Sequence, residues 1–251
     1  MTKTNTNTNE KLTALIEESH SYKSRVTQLA LEVKEIMADE TSKIRDNRDL
    51  SNGGKIKKVE EVKAIYGKEV LKSAQRIRTE YLALAEKARA DAKVILMEPI
   101  TKPSDTFAVT QFEQGLERLK IDLVLGITTD KVISKLQQFT DEYSHEPYFA
   151  EQLQAQFSQF MTPILEQGNT IQNRHTLQQI YDQVVEAVTT PEKQAANDVL
   201  GYFANAETKV FFPTYTGAYN TIQDAVGKEF AVHLETPGER LAVIEELEAG
   251  E

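Results

Sequence analysis

The sequence contains no cysteine, and this absence excludes disulfide bonds, thiolate metal ligands and a cysteine nucleophile. Glycine and proline are also scarce, at 11 and 7 of 251 residues, which disfavours an all-β sandwich rich in turns. No run of about 18 apolar residues occurs, and the first residues, MTKTNTNTNEK, lack the apolar region of a secretory signal. We therefore expect a soluble chain that is neither transmembrane nor secreted through a signal peptide.

Motifs for metal, nucleotide and nucleophile chemistry are missing as well. The sequence has no H-E-x-x-H, G-x-x-x-x-G-K-[ST], G-x-G-x-x-G or G-x-S-x-G. It has four histidines, His20, His145, His175 and His233. No two of them lie one helical turn apart, so they offer no helical metal face. We predict no enzymatic activity, no catalytic, cofactor-binding or metal-binding residues, and no cofactor.

The net charge of −10 conceals a division along the chain. Residues 1–98 hold 19 Lys and Arg and 16 Asp and Glu, a net charge of +3. Residues 99–251 hold 10 and 23, a net charge of −13. Because the second half repels phosphate, broad nucleic-acid binding by that half is disfavoured.

A helical pattern begins at Leu12, after the alternating Thr and Asn of residues 1–9, for which we predict a disordered tail. The apolar stripe advances by three and four residues, as in a heptad repeat, through Leu12, Leu15, Ser19, Tyr22, Val26, Leu29, Val33 and Ile36. Ile16, Ala30 and Met37 widen this stripe. A helix with so narrow an apolar stripe is stable only when the stripe is packed, so this helix needs a partner helix. We expect it to end near Arg45.

The partner is predicted to be a second long helix, over about residues 52–97. The segment 47–55, NRDLSNGGK, indicates a short turn with Ser51 as the N-cap of that helix. Its stripe is Val59, Val62, Tyr66, Val70, Ala74, Ile77, Tyr81, Leu84 and Ala88. Together the helices predict a long antiparallel α-hairpin, coiled-coil-like, over residues 10–98. Gly67 costs this helix about 1 kcal/mol relative to Ala, and it either allows a close crossing by another chain or is incidental.

Pro99 and Pro103 interrupt the helical pattern and set the boundary to a second part. Residues 99–251 are predicted to form an acidic, irregular multi-helix domain, so the fold class is all-α. Helix starts are indicated by Ser104 or Asp105, by Thr190-Pro191, and by a capping box at Thr236. Val210 to Tyr215 has strand-like composition, but Pro213 favours an extended connector packed on the core. Phe149, Phe157 and Phe160 have helical spacing and are predicted to be core rather than a stacking platform for bases.

The lysines Lys55, Lys57 and Lys58 lie in the first turns of the second helix, where the helix dipole disfavours cations. One interpretation is that they meet an acidic partner, either nucleic acid or the acidic half of this protein. The other interpretation, which we favour, is that a solvent-exposed helix start tolerates these lysines at a cost in helix stability of roughly 0.3 kcal/mol.

The stretch KIRDNRDLSNGGKIKKVEEVKAIYGKEV, residues 43–70, resembles a pattern in helical proteins from the head-morphogenesis regions of tailed bacteriophages. In that pattern an Asn/Asp-x-x-Leu-Ser turn is followed by Gly-Lys and a long charged helix. The matching residues are Asn47, Leu50, Ser51, Gly54, Lys55 and Ile56. The resemblance covers under a third of the chain, and it implies a minor virion or assembly component without catalytic residues.

Our leading hypothesis is a non-enzymatic phage virion structural or assembly protein, minor head, scaffold-like or capsid-associated, that acts through helical protein–protein contacts. We expect protein partners, either the chain itself or capsid proteins, in a homo-oligomer or larger assembly, located in the cytoplasm or within a virion. Membrane partners are not expected. The alternatives are a cellular helical adaptor or coiled-coil oligomerisation protein, weak nucleic-acid binding through the 1–98 hairpin, and an enzyme of a type that the motifs do not reveal.

Overall fold

The computed structural model describes residues 3–126 and 128–250, with the side chains of residues 3–9 not described. Within these ranges the chain forms ten α-helices and one short 3₁₀ helix, and no strand occurs, so the all-α prediction is confirmed. The helices are α1 (Lys3–Asp46), α2 (Asn52–Met97), α3 (Thr106–Leu125), α4 (Thr129–Tyr143), α5 (Pro147–Gln167), α6 (Ile171–Val188), α7 (Pro191–Tyr202), the 3₁₀ helix (Ala206–Thr208), α8 (Gly217–Val226), α9 (Lys228–Ala231) and α10 (Pro237–Ala249).

The first two helices form the predicted antiparallel hairpin. At the turn, Ser51 Oγ accepts a hydrogen bond from the Gly54 amide at 3.2 Å, which confirms Ser51 as the N-cap of α2. Lys55 Nζ donates to the Arg45 carbonyl at 2.5 Å and satisfies an acceptor at the end of α1. Farther from the turn, the two helices are joined by the ion pair between Arg25 and Glu80, at 2.5 Å.

The buried seam of α1 follows the predicted stripe to Val26 and then departs from it. Ala30 and Met37 are buried, whereas Leu29 is only half-buried and Ile36 is exposed. The prediction for Leu29 and Ile36 is therefore wrong. The buried positions from Leu12 to Met37 advance by about 3.6 residues for each helical turn. The predicted stripe followed the heptad spacing of about 3.5 residues, so it falls behind the buried face of a straight α-helix after a few turns.

The chain divides into two compact units, and the division differs from the predicted boundary at residue 99. Unit 1 comprises Met1–Ala92 and Asp198–Glu251, and unit 2 comprises Lys93–Asn197. The predicted partition into 10–98 and 99–251 is thus corrected, because the last segment of the chain returns to the hairpin. Of the predicted disordered tail, Met1 and Thr2 lie outside the described residues, whereas the backbone from Lys3 onward belongs to α1.

Contacts between the C-terminal segment and the hairpin explain unit 1. The buried Ser19 hydroxyl donates to the Ile16 carbonyl at 2.6 Å and so accepts from the Tyr202 hydroxyl at 2.7 Å. Tyr81 of α2 packs edge-on against Phe211, with ring centroids 5.1 Å apart. A serine inside an apolar seam is therefore tolerated because a distant tyrosine completes its hydrogen bonding.

Ion pairs also join the C-terminal segment to α2. Glu207 pairs with Arg89 at 2.6 Å, and the Arg89 guanidinium lowers the pKa of the Glu207 carboxyl below its usual range. Lys68 pairs with Glu248 at 2.5 Å. Since residues 1–92 carry a net charge of +3 and residues 198–251 a net charge of −7, the charge division of the sequence is partly an internal pairing within unit 1.

Unit 2 encloses its own apolar core, formed by α3, α4, α5 and α6. Phe112 stacks on Phe149 with ring centroids 4.5 Å apart. Phe149, Phe157 and Phe160 are all buried in this core, which confirms that interpretation of their spacing.

The start of α3 gives a test that separates the two residues predicted to cap it. Asp105 Oδ1 accepts from the amides of Phe107 and Ala108, at 3.0 and 3.1 Å. Asp105→Ala is expected to lower the free energy of unfolding of unit 2 by about 1 kcal/mol, because two amides at the helix start lose their acceptor. Ser104→Ala, in the adjacent exposed residue, is the control and should change it by less than roughly 0.5 kcal/mol. Equal effects of the two substitutions in urea denaturation would contradict this assignment.

Candidate functional site

A groove of about 730 Å³ lies on unit 1 between α1 and a connector formed by residues 209–216. Residues of α1 from Lys23 to Leu31 line one side, the connector lines the other, and the start of α8 completes the lining. The connector is the segment that composition marked as strand-like. It is not a strand, and Phe211 and Phe212 are buried, as predicted for a connector packed on the core, but residues 214 and 215 form a turn and are not extended.

The connector is held by a carboxylate from the chain beyond α9. Glu235 Oε1 accepts hydrogen bonds from the Phe211 amide, at 2.8 Å, and from the Phe212 amide. The other oxygen of Glu235 lies 3.5 Å from Arg78 Nη1 on α2. Both phenylalanine side chains are buried, so this segment of backbone is fixed against the core of unit 1.

A second set of hydrogen bonds leads the connector into α8. The Pro213 carbonyl accepts from the Thr216 amide at 2.9 Å and from the Thr216 hydroxyl at 2.7 Å. Thr216 Oγ1 in turn accepts from the Tyr219 amide at 3.4 Å and caps the helix. One wall of the groove therefore includes a turn that these hydrogen bonds hold.

The groove brings three exposed apolar or aromatic side chains into one lining. Leu31, Val210 and Tyr215 are 60%, 57% and 86% exposed, although all three are large and apolar or aromatic. Clustered exposed apolar side chains with a polar margin are typical of a surface that binds another molecule. Beneath them the Phe211 ring is buried and gives the groove a firm apolar lining.

The edge of the groove is positively charged. Lys23 and Lys209 belong to its lining, and none of the described lining residues is Asp or Glu. Lys209 Nζ also lies 3.2 Å from the Tyr81 hydroxyl and 4.4 Å from the centre of that ring, which fixes the lysine in place. On a chain with a net charge of −10, the groove lining is locally cationic and favours an acidic ligand.

The positive character continues along α1 into a second hollow, of about 640 Å³. Lys34, Arg45 and Lys63 line this hollow, with Asp224 as the acidic residue in its lining. Thr221 of α8 lines both hollows, so they are neighbours along the same helix. An elongated ligand that lies along α1 would meet cations and apolar side chains in both hollows, and one carboxylate, Asp224, in the second.

Unit 2 has a concavity of another kind, about 480 Å³ in volume, between α3 and α4. Its lining is mostly polar, and Lys135 and Asp122 within it form an ion pair at 2.7 Å. Burial raises the pKa of Tyr143 at its side. Because its described lining holds two basic residues, Arg118 and Lys135, and two acidic residues, Asp122 and Glu142, this concavity has no preference for a ligand of one charge.

The candidate residues considered from the sequence lie away from the groove. Lys55 bonds to the end of α1, and Lys58 pairs with Glu61 at 3.0 Å, so both contact their own chain. His20 packs edge-on against Tyr202, with ring centroids 5.7 Å apart. In the part of the chain that the structure describes, no group of three or more His, Asp or Glu is placed to hold a metal ion.

The residues that form the groove were not singled out by sequence reasoning. Leu31 lies outside the predicted stripe of α1, and the run Leu29-Ala30-Leu31 was a possible signal, since three adjacent apolar residues cannot all face one partner helix. Val210 and Tyr215 lie far along the chain, and only the folded connector brings them beside Leu31.

Comparison with protein-family models, with curated proteins and with solved structures gives no match to this chain. Among the described residues, no helix combines the length and the apolar character that crossing a lipid bilayer requires.

Proposed function

We propose that this protein is a structural or assembly component of a tailed-phage virion, minor head, scaffold-like or capsid-associated, and that it acts by binding other protein chains. The observation that carries the binding role is the groove of unit 1, with Leu31, Val210 and Tyr215 exposed together above a buried apolar lining. Covering apolar surface in a complex is favourable by about 25 cal/mol per Å² removed from water. The assignment to a phage rests on the resemblance of residues 43–70.

A protein ligand fits this surface better than the other classes of ligand. Tyr215 projects almost entirely into solvent, and a partner surface can cover it, whereas an enclosed small-molecule site would already surround it. Nucleic acid is less well supported, because only two lysines line the groove and the chain as a whole repels phosphate. Lys55 and Lys58 at the hairpin turn are engaged with their own chain.

The test is the composition of particles made by the phage whose genome encodes the chain. Purified virions or procapsids, separated on a density gradient, should contain the protein at a fixed ratio to the major capsid protein. A non-structural enzyme from the same genome is the control and should be lost. Absence of the protein from both kinds of particle would show that it is not a virion or assembly component.

Substitution in the groove should remove the protein from particles. Leu31→Ser is expected to lower incorporation by about tenfold or more. An apolar side chain that anchors an interface contributes about 1–2 kcal/mol or more to binding, and about 1.4 kcal/mol corresponds to a tenfold change in affinity. Ile65→Ser on α2 is a matched control, because Ile65 is 59% exposed, as against 60% for Leu31, and does not line the groove. Equal incorporation of the two variants, measured by quantitative mass spectrometry, would mean that the groove is not the binding surface.

A further inference from the structure

A second surface on unit 1 complements the groove, and it lies on α10. This helix is held to α2 through one face, where Leu241 is buried and Glu248 pairs with Lys68. Val243 and Leu247 are exposed and lie four residues apart, one helical turn, on the opposite face. Glu239 and Glu246 are exposed on that same face, four residues before and three residues after Val243.

The outer face of α10 is thus apolar and mainly acidic, with the partly buried Arg240 three residues before Val243, and the groove is apolar and cationic. The apolar side chains of Val243 and Leu247 complement the apolar lining of the groove. The negative charges of Glu239 and Glu246 complement the positive charges of Lys23 and Lys209 in that lining. The groove has no carboxylate among its described lining residues, so the two glutamates meet no like charge there. The α10 helix cannot fill the groove of its own chain while its inner face is held on α2.

From this complementarity we infer that the groove binds the outer face of α10 from a second copy of the chain. The inference rests on the proposed function, in that it names the occupant of the same protein-binding groove. The contact joins two different surfaces, so in a pair of joined copies one copy keeps its α10 face free and the other keeps its groove free for the next copy. Such a contact builds a closed ring, of which a reciprocal dimer is the smallest, or an open filament, and both forms suit a component of a larger assembly.

The full-length chain should therefore associate in sedimentation velocity, with larger species as its concentration rises. Association should weaken at high salt, because the charges at the groove edge and on α10 are exposed and are screened. Leu31→Glu places a carboxylate in the apolar part of the groove, and Leu247→Glu places one on the apolar part of the α10 face. Each variant alone should therefore have an association constant at least about tenfold lower than that of the wild type. Ile65→Glu, on an exposed position outside both surfaces, is the control and should associate as the wild type does.

The decisive measurement mixes the two variants. Leu31→Glu retains an intact α10 face and Leu247→Glu retains an intact groove, so equal amounts together should form one-to-one complexes that grow no further. Circular dichroism of each variant should match the wild type and thereby show that both are folded. A wild-type chain that stays monomeric at every concentration, or variants that fail to complement each other in the mixture, would overturn the inference. Loss of Leu31→Ser from particles would still support the proposed function in that case, since the groove would then bind a different protein.

Discussion

Replacing Gly67 by alanine is expected to destabilise unit 1 by about 2 kcal/mol, although alanine is ordinarily the better helix residue. A Cβ atom at this position would lie 2.5 and 2.6 Å from Cδ2 and Cδ1 of Phe230, and closer still to Cγ. The Phe230 ring is buried, and its Cγ is too near its own backbone to swing aside. Overpacking of this kind costs up to about 3 kcal/mol, and the gain in helix propensity offsets only about 1 kcal/mol of it.

Gly201 in α7 provides the matched control, because no heavy atom lies within 4 Å of the Cβ that alanine would add there. Gly201→Ala should raise the free energy of unfolding by up to about 1 kcal/mol, so the two identical substitutions should have opposite signs in urea denaturation. The cost of Gly67→Ala should also fall when Phe230 is replaced by alanine. A cost that is unchanged in that background would show that the phenylalanine ring is not its cause.

Gly67 also illustrates what the sequence could not supply. Its cost to the helix was evident from the residue type alone, and the pattern left open whether another chain crosses there or the glycine is incidental. The structure places Phe230 of the same chain against it. This contact depends on the return of residues 198–251 to the hairpin, which no local pattern in α2 specifies, and the predicted domain boundary was wrong for the same reason.

Features that depend on neighbouring residues were predicted well. The span of α2, the cap at Ser51 and the cap at Thr190, whose hydroxyl accepts from the Lys193 amide at 3.3 Å, follow from periodicity and capping chemistry within a few residues. The capping box at Thr236 was wrong, because Thr236 makes no side-chain cap hydrogen bond and its ψ of 54° is not extended. Its amide bonds instead to the His233 carbonyl, in a turn continuing from α9.

The groove is formed by residues that lie far apart in the sequence, so local patterns could not predict it. Its apolar character comes from Leu31 on α1 and from Val210 and Tyr215 on the connector, two segments that meet only because the C-terminal part packs on the hairpin. Glu235, which fixes the connector, is one of 39 acidic residues and has no distinguishing context in the sequence. The fold class was therefore predictable from local patterns, and the candidate site was not.

Glu235→Ala is expected to cost unit 1 about 3 kcal/mol and to release the connector. The carboxylate is the acceptor for both the Phe211 and the Phe212 amide, and the two side chains that follow those amides are buried. Each buried amide that loses its acceptor costs about 1–3 kcal/mol. The Arg78 guanidinium would keep one acceptor, because its Nη2 also donates to the Glu207 carbonyl at 2.8 Å.

Glu235→Gln separates the role of the acceptor oxygen from the role of the charge. Glutamine keeps one carbonyl oxygen for the two amides and loses only the ion pair with Arg78, which is partly exposed and at 3.5 Å is worth at most about 1 kcal/mol. We therefore expect the cost of Glu235→Gln to be roughly one third of that of Glu235→Ala in urea denaturation. Equal costs would mean that the negative charge, and not the pair of amide hydrogen bonds, holds the connector.

Hydrogen exchange connects this stability effect to the groove. In Glu235→Ala the amides of Phe211 and Phe212 should exchange much faster than in the wild type, because the bond to the carboxylate is what protects them. Val210 and Tyr215 lie on the same connector, so a released connector no longer holds their side chains opposite Leu31. Binding to the groove should then weaken together with the amide protection, and it should do so less in Glu235→Gln. Amides that remain protected in Glu235→Ala would show that packing of the two phenylalanine rings alone is enough to fix the connector.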